Sequence, residues 1–150
     1  MTSESISEKR IALLRELKEL SANEEAKKIS SPQEVLPFLS KWFKKEQEFF
    51  IVACLDGAHR IQTVKAISQG TLNRTVVHPR EVFREAVKRN SAAIIVAHNH
   101  PSGCVDPSPE DREVTHRLKN AGDLMGIPVL DHLIFSHGGK FLSLRDQGAF

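Results

Sequence analysis

Apolar and polar positions change their period several times along the chain, and each change marks an element. Between Ser5 and Leu20 the apolar residues Ile6, Ile11, Leu13, Leu14, Leu17 and Leu20 recur at helical spacings among charged ones, which predicts an amphipathic helix. The polar run SANEEAKKIS that follows reads as a linker, so residues 1–30 are expected to form a helical extension ahead of one domain over 31–150. Ser31, Pro32, Gln33 and Glu34 have the form of a capping box with Pro at the first helical position. A second helix is therefore expected to reach Lys44, with Pro37 kinking its first turns.

Phe49 to Leu55 is a continuous apolar run closed by Asp56 and Gly57, a turn pair, and Ile61 to Ile67 is a second run of strand type, so the two predict a hairpin. His78 and Pro79 open another helix through Asn90. Ala92 to Ala97 is short, wholly apolar and rich in β-branched residues, the mark of a strand buried on both faces. Ser108, Pro109, Glu110 and Asp111 start a helix that runs to Met125 and ends at Gly126 and Pro128. Val129 to Ser136 and Phe141 to Leu144 supply two more strands around Gly138 and Gly139. The order α-α-β-β-α-β-α-β-β predicts an α/β fold with a mixed β-sheet flanked by helices.

Composition narrows the partners. The chain's 150 residues suit one domain with one site. Twenty-one Lys and Arg stand against 19 Asp and Glu, and a net charge of +2 is too small to announce a nucleic-acid or membrane surface. Arg80, Arg84 and Lys88 recur at intervals of four and could touch phosphates, yet Glu81 and Glu85 among them point to a solvated face. Two cysteines, Cys54 in an apolar run and Cys104 in a loop, are too few for a disulfide framework. There is no apolar run of membrane-spanning length, and the polar start MTSESISEKR is not of secretory type, so a cytoplasmic protein with no membrane partner is expected. The apolar face of the first helix predicts a homodimer.

The chemistry collects at the end of the buried strand. His98 and His100 are two residues apart there, and alternation sends such residues to one side, so both imidazoles can face one ion. Zinc takes His nitrogen and carboxylate oxygen, and a catalytic site supplies three protein ligands and leaves a position for water. Asp111, returned toward the strand by a loop of turn residues, is the candidate third ligand, although at the third position of the capping box it can also serve the helix end. Ser108 either caps that helix or donates its hydroxyl to a developing oxyanion. Asp131 and His132 either orient the ligands or are structural.

The run HNHPSGCVDPSPED resembles the JAMM (MPN+) zinc metalloprotease motif, His-x-His-x7-Ser-x2-Asp. ISQGTLNRTVVHPREVFREAV, AHNHPSG, SPED and IPVLDHLIFS are similar to the RadC branch of that superfamily, so the resemblance covers roughly Ser31 to Phe150. It implies a JAMM/MPN-like, cytidine-deaminase-like fold, a Zn2+ site of two histidines and one aspartate, Ser108 as oxyanion group, and a general-base Glu just before the first core strand. In QEFFIVACL that Glu is Glu48, with Glu46 as its rival. The activity implied is a zinc-dependent hydrolase of metallopeptidase or isopeptidase type, using metal-activated water on a peptide or protein-conjugate substrate. Two other expectations stand beside it: a nucleic-acid-associated DNA-repair accessory with a structural metal, and a non-catalytic MPN interaction module. Two positions depart from the pattern: Asn99 stands between the histidines, where deubiquitinating relatives usually have Ser or Thr, and the loop reads GCVDPS, which brings Cys104 near the site.

Overall fold

A computed structural model describes residues 7–16, 28–70 and 77–150. The ends of the first expected helix, most of the linker after it and the stretch 71–76 lie outside the described residues. Residues 7–16 are helical (α1), and Ile11, Leu13 and Leu14 on it are exposed. No helix among the described residues is long and apolar enough to cross a membrane.

The core is a five-stranded sheet in the order β2-β1-β3-β4-β5, made of β1 (Phe49–Leu55), β2 (Ile61–Gln69), β3 (Ala93–Asn99), β4 (Val129–Phe135) and β5 (Phe141–Ser143). β1 runs antiparallel to both β2 and β3, β3 and β4 are parallel, and β5 returns antiparallel on β4. This is the mixed α/β sheet the sequence predicts. The parallel pair is joined through α4 (Pro109–Met125), the crossover helix that a parallel connection requires.

Alternation divides the strands between two apolar layers. Ile51, Ala53, Leu55, Ile95, Ala97, Leu133 and Phe135 face Val35, Leu39 and Trp42 on one side. Phe50, Val52, Cys54, Ile94 and Val96 face Val82, Phe83, Ala86 and Leu118 on the other. All seven residues of β3 are buried, the apolar run Ala93 to Ala97 and the polar His98 and Asn99 after it. His98 continues the face of Ile94 and Val96, which places it on the helical side of the sheet.

Two local readings are corrected. The second helix is a 3-10 segment, Pro32–Trp42, and carries no side-chain cap at Ser31. Glu34 accepts from the backbone N–H of Ser30 at 2.6 Å, one residue short of the capping-box partner. Pro37, without an N–H, sits inside this segment, and Leu36, Leu39 and Trp42 meet the sheet at intervals of three, the period of a 3-10 turn. The helix expected from His78 to Asn90 is two short ones, α2 (Pro79–Val82) and α3 (Arg84–Lys88), separated at Phe83, whose ψ of −7° departs from the helical value and whose side chain is buried. On α3, Glu85 pairs with Lys65 at 3.2 Å and with Arg89 at 3.3 Å, so this face is a solvated ion network.

α4 ends where the sequence places its end, at Gly126 with φ +73°. One turn earlier Gly122 is buried, and a Cβ there would lie 2.5 Å from the carbonyl oxygen of Ile127. Gly122→Ala is expected to destabilise the fold by about 1–3 kcal/mol in chemical denaturation, because backbone must move to admit the methyl group. An unchanged midpoint would show that the turn into β4 yields without strain.

Candidate metal centre

β3 carries His98 inside the sheet and delivers His100 just past its end. The N–H of His100 donates to the carbonyl of Phe135 on β4 at 2.9 Å, so the chain stays extended through His100 and both rings emerge on one side. A turn follows in which the N–H of Gly103 donates to the His100 carbonyl at 3.1 Å. Gly103 has φ +89°, and a Cβ there would stand 3.1 Å from the His137 ring. Only glycine suits both conditions.

The loop returns to α4, whose first turn is a complete capping box. The Asp111 N–H donates to Ser108 Oγ at 3.0 Å, and the Ser108 N–H donates to Asp111 Oδ2 at 2.9 Å. The two readings left open for Ser108 do not compete: the cap uses a lone pair of the oxygen, and the O–H remains a donor. Ser108 also lines the cleft. The same box fixes Asp111 facing the histidines, with Oδ1 3.1 Å from His98 Nε2 and Oδ2 3.1 Å from His100 Nε2.

Hydrogen bonds behind the two rings determine which nitrogen each presents. His100 Nδ1 lies 2.8 Å from the Cys104 carbonyl, which can only accept, so Nδ1 carries the proton and Nε2 offers a lone pair. His98 is set by a longer chain. Thr115 Oγ1 donates to the Asp111 carbonyl at 2.7 Å and so accepts from His132 Nδ1 at 2.6 Å. His132 is fully buried, and burial first, then the neighbouring imidazole of His98, holds its pKa well below the ordinary value, so the ring is neutral. Its Nε2 accepts from His98 Nδ1 at 2.7 Å, which leaves His98 Nε2 bare.

Two lone pairs and a carboxylate therefore converge, with the two Nε2 atoms 2.9 Å apart. Such a set calls for a positive charge among its members. Burial opposes charge on the His100 ring, but the Asp111 carboxylate, the Cys104 carbonyl and Glu48 outweigh it and raise the pKa. Burial likewise pushes Asp111 up, but both imidazoles hold its carboxyl far below the usual carboxylate range. His98, His100 and Asp111 are the three groups among the described residues that could hold a metal ion together, their donor atoms all within 4.8 Å of one another.

The cluster lies in a cleft of about 1280 Å³ lined also by Glu46, Glu48, Phe50, Val114 and His137. Glu48 precedes Phe50 by two residues, and the Phe50 ring stacks on His98 with centroids 6.0 Å apart. Glu48 is half-buried and Glu46 exposed, which favours the former as the group aimed inward. Cys104 takes part through its carbonyl alone, while its thiol meets Asp106 Oδ2 at 3.4 Å. Opposite Ile94 and Ile95 a bulge at Leu130 shifts the register of β4, and alternation then sends Asp131 and His132 to opposite faces. His132 faces the site, whereas Asp131 faces the opposite side of the sheet and accepts from Ser143 Oγ at 2.5 Å and from the Arg145 N–H at 3.1 Å. Thr115 escaped sequence reasoning, although its place four residues after Asp111 puts both on one helix face.

A family model described as RadC-like JAB domain matches residues 29–149. The chain is 47% identical over 126 residues to a UPF0758 protein of Geotalea uraniireducens, covering 83% of this chain and 55% of that protein. A UPF0758 protein of Staphylococcus haemolyticus is 48% identical over 124 residues, 82% of this chain and 54% of the relative. One from Methanosarcina mazei is 43% identical over 131 residues, 87% and 57% respectively. The chain thus spans about half the length of the curated relatives it matches.

Proposed function

This chain belongs to the RadC-like JAB domain family, and we propose that its cleft is the active site of a zinc-dependent hydrolase cutting amide or isopeptide bonds. The observation that carries the reading is the convergence of two imidazoles, each with its Nδ1 proton already committed, on one carboxylate. His nitrogen and carboxylate oxygen suit zinc better than magnesium or calcium, which prefer oxygen alone. His98, His100 and Asp111 would hold the ion. Bound zinc supplies a Lewis acid and lowers the pKa of water at an open position toward neutrality.

The protein's own groups do the rest. Glu48 takes the proton of the attacking water and returns it to the leaving amine, as a general base and then acid. Ser108 donates its O–H to the carbonyl oxygen as negative charge develops there, while its lone pair holds the helix start in place. Phe50, Val77 and Val114 give the cleft apolar walls that restrict water around the reacting bond. Acyl transfer to water of this kind fits peptides and protein conjugates alike.

The test is a peptide and isopeptide library incubated with zinc-replete protein and read by mass spectrometry. Cleavage that disappears with chelator and returns with zinc supports the proposal. Cleavage indifferent to chelator, or a wild-type protein that takes up no zinc, would overturn it.

His132 provides a check that needs no substrate. Replacing it by Ala leaves the His98 Nδ1 proton and the Thr115 hydroxyl without their partner, and His98 is then no longer confined to the tautomer with a bare Nε2. Zinc affinity, read by competition with a chromophoric chelator, is expected to fall about 10–100-fold. Unchanged affinity would mean that the ring orientation is fixed by packing against Phe50 alone.

A further inference from the structure

Glu48 lies one residue before β1 begins, outside the paired register of β1 with β3. In the antiparallel register Phe50 pairs with His98, and continuing it would set Phe49 against Asn99 and Glu48 against His100. The paired register ends at Phe50 and His98, and past it the chain turns, the Gly103 N–H donating to the His100 carbonyl. The Asn99 side chain stands in for the missing strand. Its Oδ1 accepts from the Phe49 N–H at 2.7 Å, and its Nδ2 donates to the Gln47 carbonyl at 2.9 Å. The two contacts bracket Glu48. On the other flank the Gly70 N–H donates to the Glu48 carbonyl at 2.9 Å. The residue before the first core strand is thus held from both neighbours as if it were itself within the sheet.

We infer that Asn99 is the positioning residue for Glu48: its amide holds the peptide groups on either side of Glu48 extended, so that alternation aims the carboxylate to the face of Phe50 and His98. The inference rests on the reading of Glu48 as the base. Three features favour it over a role in core packing. Asn99 is 1% exposed, and a buried amide there costs desolvation that its hydrogen bonds must offset. Both ends of the amide are used, the acceptor on the Phe49 N–H and the donor on the Gln47 carbonyl. The residue is also fixed by the same strand that carries the histidines, so one rigid element sets the ligands and, through Asn99, the base. A serine or threonine at this position is too short to bracket three consecutive residues, so the base would need another support.

The experiment uses the full chain in wild-type, Asn99→Ser and Asn99→Asp forms, with zinc as the only probe. In metal-free Asn99→Ser the Phe49 amide should exchange with solvent at least about tenfold faster, the effect of losing one buried hydrogen bond, while Val52 and Val96 keep their wild-type rates. Zinc affinity should stay within about threefold of wild type, since neither Nδ1 partner is touched. In wild type, zinc should move the carboxyl carbon-13 resonance of Glu48 strongly and that of Glu46 weakly. In Asn99→Ser the Glu48 response should fall to that of Glu46. Asn99→Asp keeps the acceptor for Phe49 but sets an oxygen against the Gln47 carbonyl, so Phe49 should stay protected while the Glu48 response drops. This variant serves should the serine form not fold. A full Glu48 response to zinc in either variant would overturn the inference, as would an unchanged Phe49 exchange rate in Asn99→Ser. A wild-type Glu48 resonance indifferent to bound zinc would sink the role of Glu48 as base and the inference with it, while the exchange rates would still report the bracket by themselves.

Discussion

Purified without chelator, the wild-type chain is expected to carry about one zinc ion and His98→Ala none above background, because a zinc site of this type rests on three protein ligands. Removing the imidazole leaves His100 and Asp111, one nitrogen and one carboxylate, and breaks the chain that runs from His98 through His132 and Thr115 to the backbone of Asp111. The loss therefore weakens the placement of a second ligand along with deleting the first. Stability gives an independent reading. A ligand that binds only the folded chain stabilises it by about 2.7 kcal/mol at a free concentration one hundred times its dissociation constant. Zinc should raise the wild-type melting temperature in calorimetry and leave that of His98→Ala unmoved. A wild type that stays metal-free in excess zinc would leave the convergent donors to be satisfied by a proton and would reduce the site to a relic of the fold. Zinc retained by His98→Ala at full occupancy would mean that the ion sits elsewhere.

The parts of this site that were legible in the sequence are those set by local geometry. Strand period alone puts His98 and His100 on one face, and the capping-box pattern puts Asp111 in the first turn of a helix. What brings the helix back to the strand is a nine-residue connection, 100–108, whose course no periodicity specifies, so its turn residues made Asp111 a candidate ligand with a capping role still open beside it. The strands themselves were readable to within two residues at each end, because their apolar runs are bounded by Asp56, Gly57, Gly126 and Pro128.

What stayed hidden depends on strand order. His132 meets His98 because β4 lies beside β3, and a bulge decides that His132, not Asp131, takes the inner face. Sequence pattern treats the two neighbours as equals. The 3-10 form of Pro32–Trp42 was hidden for another reason: its apolar positions fit periods of 3.6 and 3.0 about equally over eleven residues. Asn99 stands in the sequence only as the residue between two ligands, and its contacts with the Phe49 N–H and the Gln47 carbonyl come from setting β1 beside β3.

Glu48→Gln is the substitution expected to separate binding from chemistry most sharply. Glutamine fills the same volume and can still hydrogen-bond, but it cannot accept a proton, so zinc content and fold should persist while the cleavage rate on any substrate the wild type cuts falls about 10²–10⁴-fold, the usual contribution of a positioned base. The loss should appear in kcat with KM little changed, since a proton transferred in the transition state contributes nothing to ground-state binding. Glu46→Gln is the paired control. Glu46 also borders the cleft, but it is exposed and lies an even two residues further from Phe50, beyond the segment that Asn99 and Gly70 hold. Without that support its carboxylate has no fixed aim, and its replacement should cost less than about threefold, within the range of surface changes. A reversed order, Glu46→Gln inactive and Glu48→Gln active, would reassign the base. Two active variants would leave the ion and Ser108 as the whole of the catalytic apparatus, and the bracket around Glu48 would then be only the means by which the first strand is entered.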